Sequence, residues 1–103
     1  MKRRVHDMED EADAIATLAE AMTRLRSTDR MRAFLEDLCT PAELEAMTDR
    51  WKVVPLLLEG VPYREIHERT LVSVTTIGRV ARTLERGAGG YSAAIKRRTT
   101  RTG

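Results

Sequence analysis

The sequence predicts an all-α fold. Apolar residues recur at steps of three and four along its longer segments, which is the spacing of one helix face. Aromatic residues make up only 4% of the 103 residues, and sandwiches and barrels of β-strands depend on aromatic and β-branched side chains. Capping residues, a proline at a helix start and glycines at helix ends divide the chain into six helical segments.

Two helices are predicted in the N-terminal part. The first runs from about Asp7 to Arg26, and the second follows the capping run 27–29 and ends at about Leu38. The first helix carries one apolar stripe, formed by Met8, Ala12, Ile15, Leu18, Met22 and Leu25. The second helix is expected to direct four apolar side chains inward, those of Met31, Phe34, Leu35 and Leu38. Because so short a chain buries only a modest core, we expect a second subunit to cover the stripe.

The third helix has the clearest start signal in the chain. Thr40 can cap it, Pro41 suits its first position, and Glu43 completes a capping box. The helix is expected to extend to about Glu59, with a buried face made of Leu44, Met47, Trp51, Val54 and Leu58. Pro55 lies in its interior, but the apolar spacing continues through the proline, so we expect one kinked helix rather than two.

Two short helices then form a helix-turn-helix over about residues 63–85. They run from about Tyr63 to Arg69 and from Val74 to Glu85, and Ser73 can cap the second. Their inward residues are Ile66, Val72, Ile77, Val80 and Leu84. The motif therefore has an apolar inner side and a polar outer side.

A last helix is expected from about Tyr91 to Arg98, with Ala94 and Ile95 inward. Residues 1–98 are then a single helical domain, in keeping with the chain length. Residues 99–103 have nothing to bury and are expected to be a disordered basic tail.

The charge is distributed unevenly along the chain. Its formal net charge is +2 at pH 7, but residues 61–103 hold nine basic and three acidic side chains, whereas residues 1–40 hold seven basic and nine acidic ones. A basic C-terminal part on a neutral-to-acidic body is typical of a nucleic-acid-binding protein. A solvated surface with a basic tail is the alternative explanation.

The outer side of the helix-turn-helix carries groups that suit DNA. In this motif the second helix lies in the major groove, with its N-terminal residues against base edges. The outward residues of that helix are Val74, Thr75, Thr76, Arg79 and Arg82. Threonine can contact base edges and thymine methyl groups, arginine can bind guanine or phosphate, and backbone N–H groups after the Ser73 cap can bind phosphate. An ordinary helical hairpin with a polar face is the alternative.

Several other functions are disfavoured. The single cysteine, Cys39, forms no intramolecular disulfide and has no companion at a metal-binding spacing, and His6 and His67 are far apart, so we expect no metal site. No apolar run approaches the ~20 residues of a membrane span. The basic start is followed by acidic residues, which is unlike a secretory signal. We therefore expect a reduced, cytoplasmic setting and no membrane partner.

The chain resembles the Trp repressor family. The resemblance covers about residues 34–95 and rests on LCTPAELEAM at 38–47, RWKVV at 50–54, LLEG at 57–60, YREI at 63–66 and TTIGRV at 75–80. RWK at 50–52 and GAGGY at 87–91 resemble the YerC/YecD branch of that family. The resemblance implies a six-helix subunit, an intertwined homodimer, and a bacterial, nucleoid-associated transcriptional regulator, most simply a repressor, that binds a double-stranded DNA operator.

The resemblance also implies particular DNA contacts. Arg64 matches an arginine that reaches a guanine, and His67 matches a lysine of the same helix. Val74, Thr75 and Gly78 match groove-facing positions. Leu71 stands where the family usually has the glycine of the turn, so an altered turn is expected, since glycine adopts a left-handed conformation at low cost. The basic residues Lys96 and Arg97 are expected to contact phosphates.

The family's archetype binds tryptophan as a corepressor. Arg50 and Arg79 match the two arginines around its indole ring, and Thr40 and Thr83 match polar positions of the pocket. Val80, however, replaces a glycine that gives the ligand room, and a valine fills part of that space. We therefore expect no cofactor, and in particular no L-tryptophan corepressor.

Two other kinds of protein fit the composition less well. A small intertwined-dimer enzyme of the chorismate mutase type needs one very long first helix, which the run 27–29 interrupts. A helix-turn-helix accessory subunit of a transposase or antitoxin does not account for the long N-terminal stripe. We expect a stand-alone regulator and not an enzyme.

Overall fold

A computed structural model describes the backbone of residues 5–95 and the side chains of residues 13–95. This part of the chain forms helices only: α1 (Val5–Thr23), α2 (Thr28–Leu38), α3 (Pro41–Leu58), α4 (Tyr63–Thr70), α5 (Val74–Arg86) and α6 (Gly90–Ala94). The prediction of an all-α fold with six helices is confirmed. The expected phosphate contacts Lys96 and Arg97, the tail at 99–103, and the side chains of Met8 and Ala12 lie outside the described residues.

The chain forms two compact units, Met1–Pro41 and Ala42–Gly103. The first contains α1 and α2, and the second contains nearly all of α3 together with α4, α5 and α6. The helix-turn-helix thus belongs entirely to the second unit. That residues 1–98 form one domain stays a prediction.

In the first unit, α1 ends at Thr23, three residues before the predicted Arg26, so that boundary was wrong. The N–H groups of Arg24 and Leu25 turn back to carbonyls three residues earlier, which tightens and closes the helix end. Ser27 then adopts the extended conformation of an N-cap, and its hydroxyl accepts a 3.1 Å hydrogen bond from the N–H of Arg30. The predicted cap of α2 is confirmed.

The described side chains of the first unit include no buried residue. Leu38 in α2 is half-exposed, so its expected inward position was wrong, whereas Ile15 in α1, which belongs to the stripe that a second subunit is expected to cover, is 73% exposed. Met31, Phe34 and Leu35 are only partly covered. Two helices joined by a short turn have too little facing surface to bury their apolar stripes on each other.

In the second unit, α3 continues through Pro55 as a single helix, as predicted. Proline has no N–H, so the carbonyl of Trp51 lacks its usual helical donor, whereas the carbonyl of Pro55 still accepts the N–H of Glu59 at 3.1 Å. Gly60 follows with a φ of 82°, a left-handed conformation that ends the helix.

The core of the second unit joins α3, α4, the turn and α5. It consists of Val53, Val54, Ile66, Val72, Ile77 and Val80. Leu84, Tyr91 and Ile95 pack against it from one side. The inward residues predicted for the helix-turn-helix therefore occupy the core or its edge.

The predicted buried face of α3 was partly wrong. Val54 is buried, but Met47, Trp51 and Leu58 are exposed to about two-fifths or more. The neighbouring Val53 is fully buried instead, because α4 and α5 cover only the second half of α3. Trp51 lies at the core edge with its ring 6.4 Å from that of Tyr91.

The last helix is shorter than predicted. It ends at Ala94, and Ile95 has extended backbone, so the predicted continuation through Ile95 was wrong, while residues 96–98 lie outside the described part of the chain. The extended cap still lets Ile95 pack on the core, whereas Ala94 is exposed. Among the helices described, none combines the length and the apolar character that crossing a membrane requires.

Candidate nucleic-acid interface

The turn between α4 and α5 depends on a left-handed leucine. Leu71 has φ 67° and ψ 9°, and within the described range it is the sole residue other than glycine with a positive φ. Its N–H donates a 2.7 Å bond to the carbonyl of His67, which closes α4. The expectation of an altered turn was wrong, because Leu71 adopts the conformation that glycine takes easily. This conformation costs a non-glycine residue ~1–2 kcal/mol.

Hydrogen bonds from two side chains of α4 stabilise this turn. The hydroxyl of Thr70 donates to the carbonyl of Ile66 at 2.7 Å and accepts from the N–H of Val72 at 3.1 Å. Nδ1 of His67 lies 2.8 Å from the carbonyl of Val72. Since a carbonyl can only accept, Nδ1 carries the proton. These bonds fix the chain on both sides of Leu71.

The side chain of Leu71 takes no part in this stabilisation. It is 81% exposed, so Leu71 does not stiffen the motif through packing. Val72 supplies the packing instead, since it is buried in the core. The turn is thus held by one buried valine and by the hydrogen bonds of Thr70 and His67.

The start of α5 is capped as predicted. The hydroxyl of Ser73 accepts a 3.1 Å bond from the N–H of Thr76 and donates to the hydroxyl of Thr76 at 3.1 Å. The hydroxyl of Thr76 is therefore engaged in the cap, and this residue is partly buried. The N–H groups of Val74 and Thr75 come before the first helical donor and point out of the helix end. An anion bound there can accept hydrogen bonds from them.

The outer face of α5 is lined by arginines. Arg79, Arg82 and Arg86 are exposed and recur at helical spacing, and with Thr83 and Gly87 they line a shallow surface depression. Among residues 13–95, no carboxylate lies within ion-pair distance of these arginines, whereas Arg69 of α4 is paired with Glu65 at 3.3 Å. Their charge is therefore available to a phosphate-rich partner.

The N-terminal half of α5 presents smaller groups. Val74 and Thr75 are exposed, and Gly78 lies beneath Tyr63 of α4. Arg64, the expected guanine contact, is exposed at the start of α4. His67 is exposed too, with one ring nitrogen committed to the turn. The second unit therefore presents the predicted residues from 64 to 82 on one helix-turn-helix.

Two of the four residues matched to an effector pocket, Arg79 and Thr83, line the depression on α5. Arg50 belongs to α3 and Thr40 to the first unit, and an effector pocket made of these four residues stays a prediction. Val80 is 1% exposed and lies in the core, so its methyl groups fill interior space rather than face an open pocket. Among the described side chains, no group of three or more potential ligands could hold a metal ion.

Three residues of this surface were not found from the sequence. Arg86 follows Arg79 by seven positions, so helical spacing could have added it. Thr70 and Tyr63 gave no such signal, because their roles depend on where the turn and the facing helix place them. Their contacts become visible only once α4 and α5 are packed together.

Comparison with known proteins gives two matches. The family described as Trp repressor protein matches residues 13–99. Uncharacterized protein YerC of Bacillus subtilis (strain 168) is 34% identical over 80 residues, which cover 78% of this chain and 77% of that protein. No solved structure matches the chain.

The left-handed conformation of Leu71 predicts that Leu71→Gly stabilises the protein. Glycine removes the cost of the left-handed conformation and loses little burial, so the free energy of unfolding should rise by ~1 kcal/mol in urea denaturation. Thr70→Val serves as the opposite variant, because it removes both hydroxyl bonds while keeping the side-chain shape, and it should lower stability by ~1–2 kcal/mol. A destabilised Leu71→Gly protein would contradict this account of the turn.

Proposed function

Because the chain belongs to the Trp repressor family, whose members are DNA-binding regulators and not enzymes, we propose that it is a sequence-specific transcriptional regulator that represses by binding a DNA operator. The observation that carries this proposal is the outer face of α5, where three exposed arginines have no carboxylate partner among the described residues. Unpaired arginines on a helix that can enter the major groove supply both affinity and base contacts.

The two helices of the motif divide the contacts in this proposal. α5 enters the major groove with Val74, Thr75 and Gly78 nearest the bases, and the free N–H groups at its start bind a phosphate. Arg64 of α4 reaches a guanine, His67 and Arg79 flank the groove, and Arg82 adds a further positive charge to the DNA-facing side of α5. Ser73 and Thr76 act by fixing the helix start. This role places the protein with the DNA in the cytoplasm.

A homodimer is the second element of the proposal. The family binds DNA as dimers, and the first unit of this chain has apolar side chains but no buried one among those described. A second copy that covers Ile15 and Leu18 would supply the missing burial.

The enzyme alternative is not favoured by the helix lengths. α1 ends at Thr23 and α2 begins at Thr28, so the long single helix of a chorismate mutase type of enzyme is not formed.

Selection of DNA from a random pool tests the function directly. The purified protein should enrich a two-fold symmetric site, and Arg64→Ala should relax preference at one base pair per half-site, at a cost of ~1–3 kcal/mol in binding. Arg69→Ala removes the same charge from the same helix, but Arg69 is already paired with Glu65, so it should leave the preference intact. A pool without any enriched sequence would refute the proposal.

The dimer can be tested through charge placed on α1. Ile15→Asp puts a carboxylate in the proposed interface, where its burial is costly, and should convert a dimer into a smaller species at micromolar concentration. Thr17→Asp adds the same charge on the opposite side of α1 and should leave the dimer intact. Sedimentation velocity distinguishes the two, and a monomeric wild-type chain would contradict the homodimer.

We also propose that operator binding needs no L-tryptophan. The support for this proposal is Val80, which is 1% exposed and belongs to the core, so its methyl groups occupy space beside the position matched to the indole. Operator affinity measured with and without L-tryptophan should therefore be equal, and calorimetry should show no binding at sub-millimolar ligand. A tryptophan-dependent gain in affinity would make the protein a tryptophan sensor and overturn this expectation.

A further inference from the structure

The outer face of α5 has a gap at Gly78. A Cβ atom built at this position would lie 3.6 Å from Nη1 of Arg82 and 3.9 Å from Cε2 of Tyr63. Both distances are ordinary contacts, so the two side chains border the space that a larger residue would need. Glycine costs a helix interior ~1 kcal/mol relative to alanine, and here it leaves that space open for the side chain of Arg82.

The side chain of Arg82 runs along the helix towards its start. Its guanidinium lies beside residue 78, one turn before its own Cα, which is the direction that long side chains take on helices. The start of the second helix is the end that meets base edges in a helix-turn-helix. Arg82 therefore carries its donors from the middle of α5 towards the bases.

Nothing among the described residues neutralises this guanidinium. Arg82 is exposed and forms no ion pair within residues 13–95. The ring of Tyr63, the first residue of α4, borders the same space at residue 78. A guanidinium that has no carboxylate partner can donate two parallel bonds to O6 and N7 of guanine.

We propose that Arg82 reads a guanine in the major groove and that Gly78 and Tyr63 position it for this contact. The proposal rests on the proposed function, since it names a specificity-determining residue of the same surface. In this proposal Gly78 matters because it has no side chain, which leaves room for the side chain of Arg82 to extend towards the base. Gly78 and Tyr63 act as positioning residues.

The test is selection from a random DNA pool with four proteins: wild type, Arg82→Ala, Arg82→Lys and Arg86→Ala. Both changes at Arg82 should lose the preference for one guanine per half-site, by about fivefold or more, because lysine cannot form the paired bonds. The matched control is Arg86→Ala, one turn further along α5. It should weaken binding to all sequences alike and reduce the slope of log affinity against log salt concentration by about one.

Substitutions at Gly78 test the positioning. Gly78→Ala fits in ordinary contact and should keep the guanine preference, whereas the branched side chain of Gly78→Thr should displace Arg82 and lose it, with helix content unchanged by circular dichroism. If the wild type enriches a site and Arg82→Ala keeps the same guanine preference, this inference is overturned but the proposed function is not. A wild type that enriches no site overturns the proposed function, and this inference falls with it.

Discussion

The left-handed backbone at Leu71 is the constraint on which the interface depends. It sets the direction in which the chain leaves α4 and therefore the position of α5. Because leucine does not favour this conformation, the turn needs Thr70 and His67 to bond to the backbone around it and Val72 to anchor it in the core. Part of the free energy gained by packing the core thus offsets the cost of the backbone geometry that presents α5 outward.

The two units contribute differently to the molecule. The second has a core that joins α3, α4, the turn and α5. The first has a capped α2 but, among its described side chains, no buried one. In the proposed function this difference is a division of roles, because the second unit presents the DNA-binding side chains and the first supplies apolar surface for association.

The sequence predicted most of the helices because their starts are encoded locally. Ser27, Pro41 and Ser73 each begin a helix where predicted. Helical spacing also identified Arg79 and Arg82 as outward residues of α5, although Arg86 was missed. Leu71 was not predictable, because its residue type opposes the conformation that tertiary structure imposes. Trp51 was assigned to the core since periodicity identifies an apolar face but not how much of it a neighbour covers.

The pairing of Trp51 with Tyr91 gives the molecule an internal optical reporter. Trp51 is the only tryptophan in the sequence, it is 42% exposed, and its ring lies 6.4 Å from that of Tyr91. At this separation light absorbed by the tyrosine is passed to the indole, whose emission responds to water around it. Fluorescence of the unlabelled protein therefore follows the docking of α6 on α3.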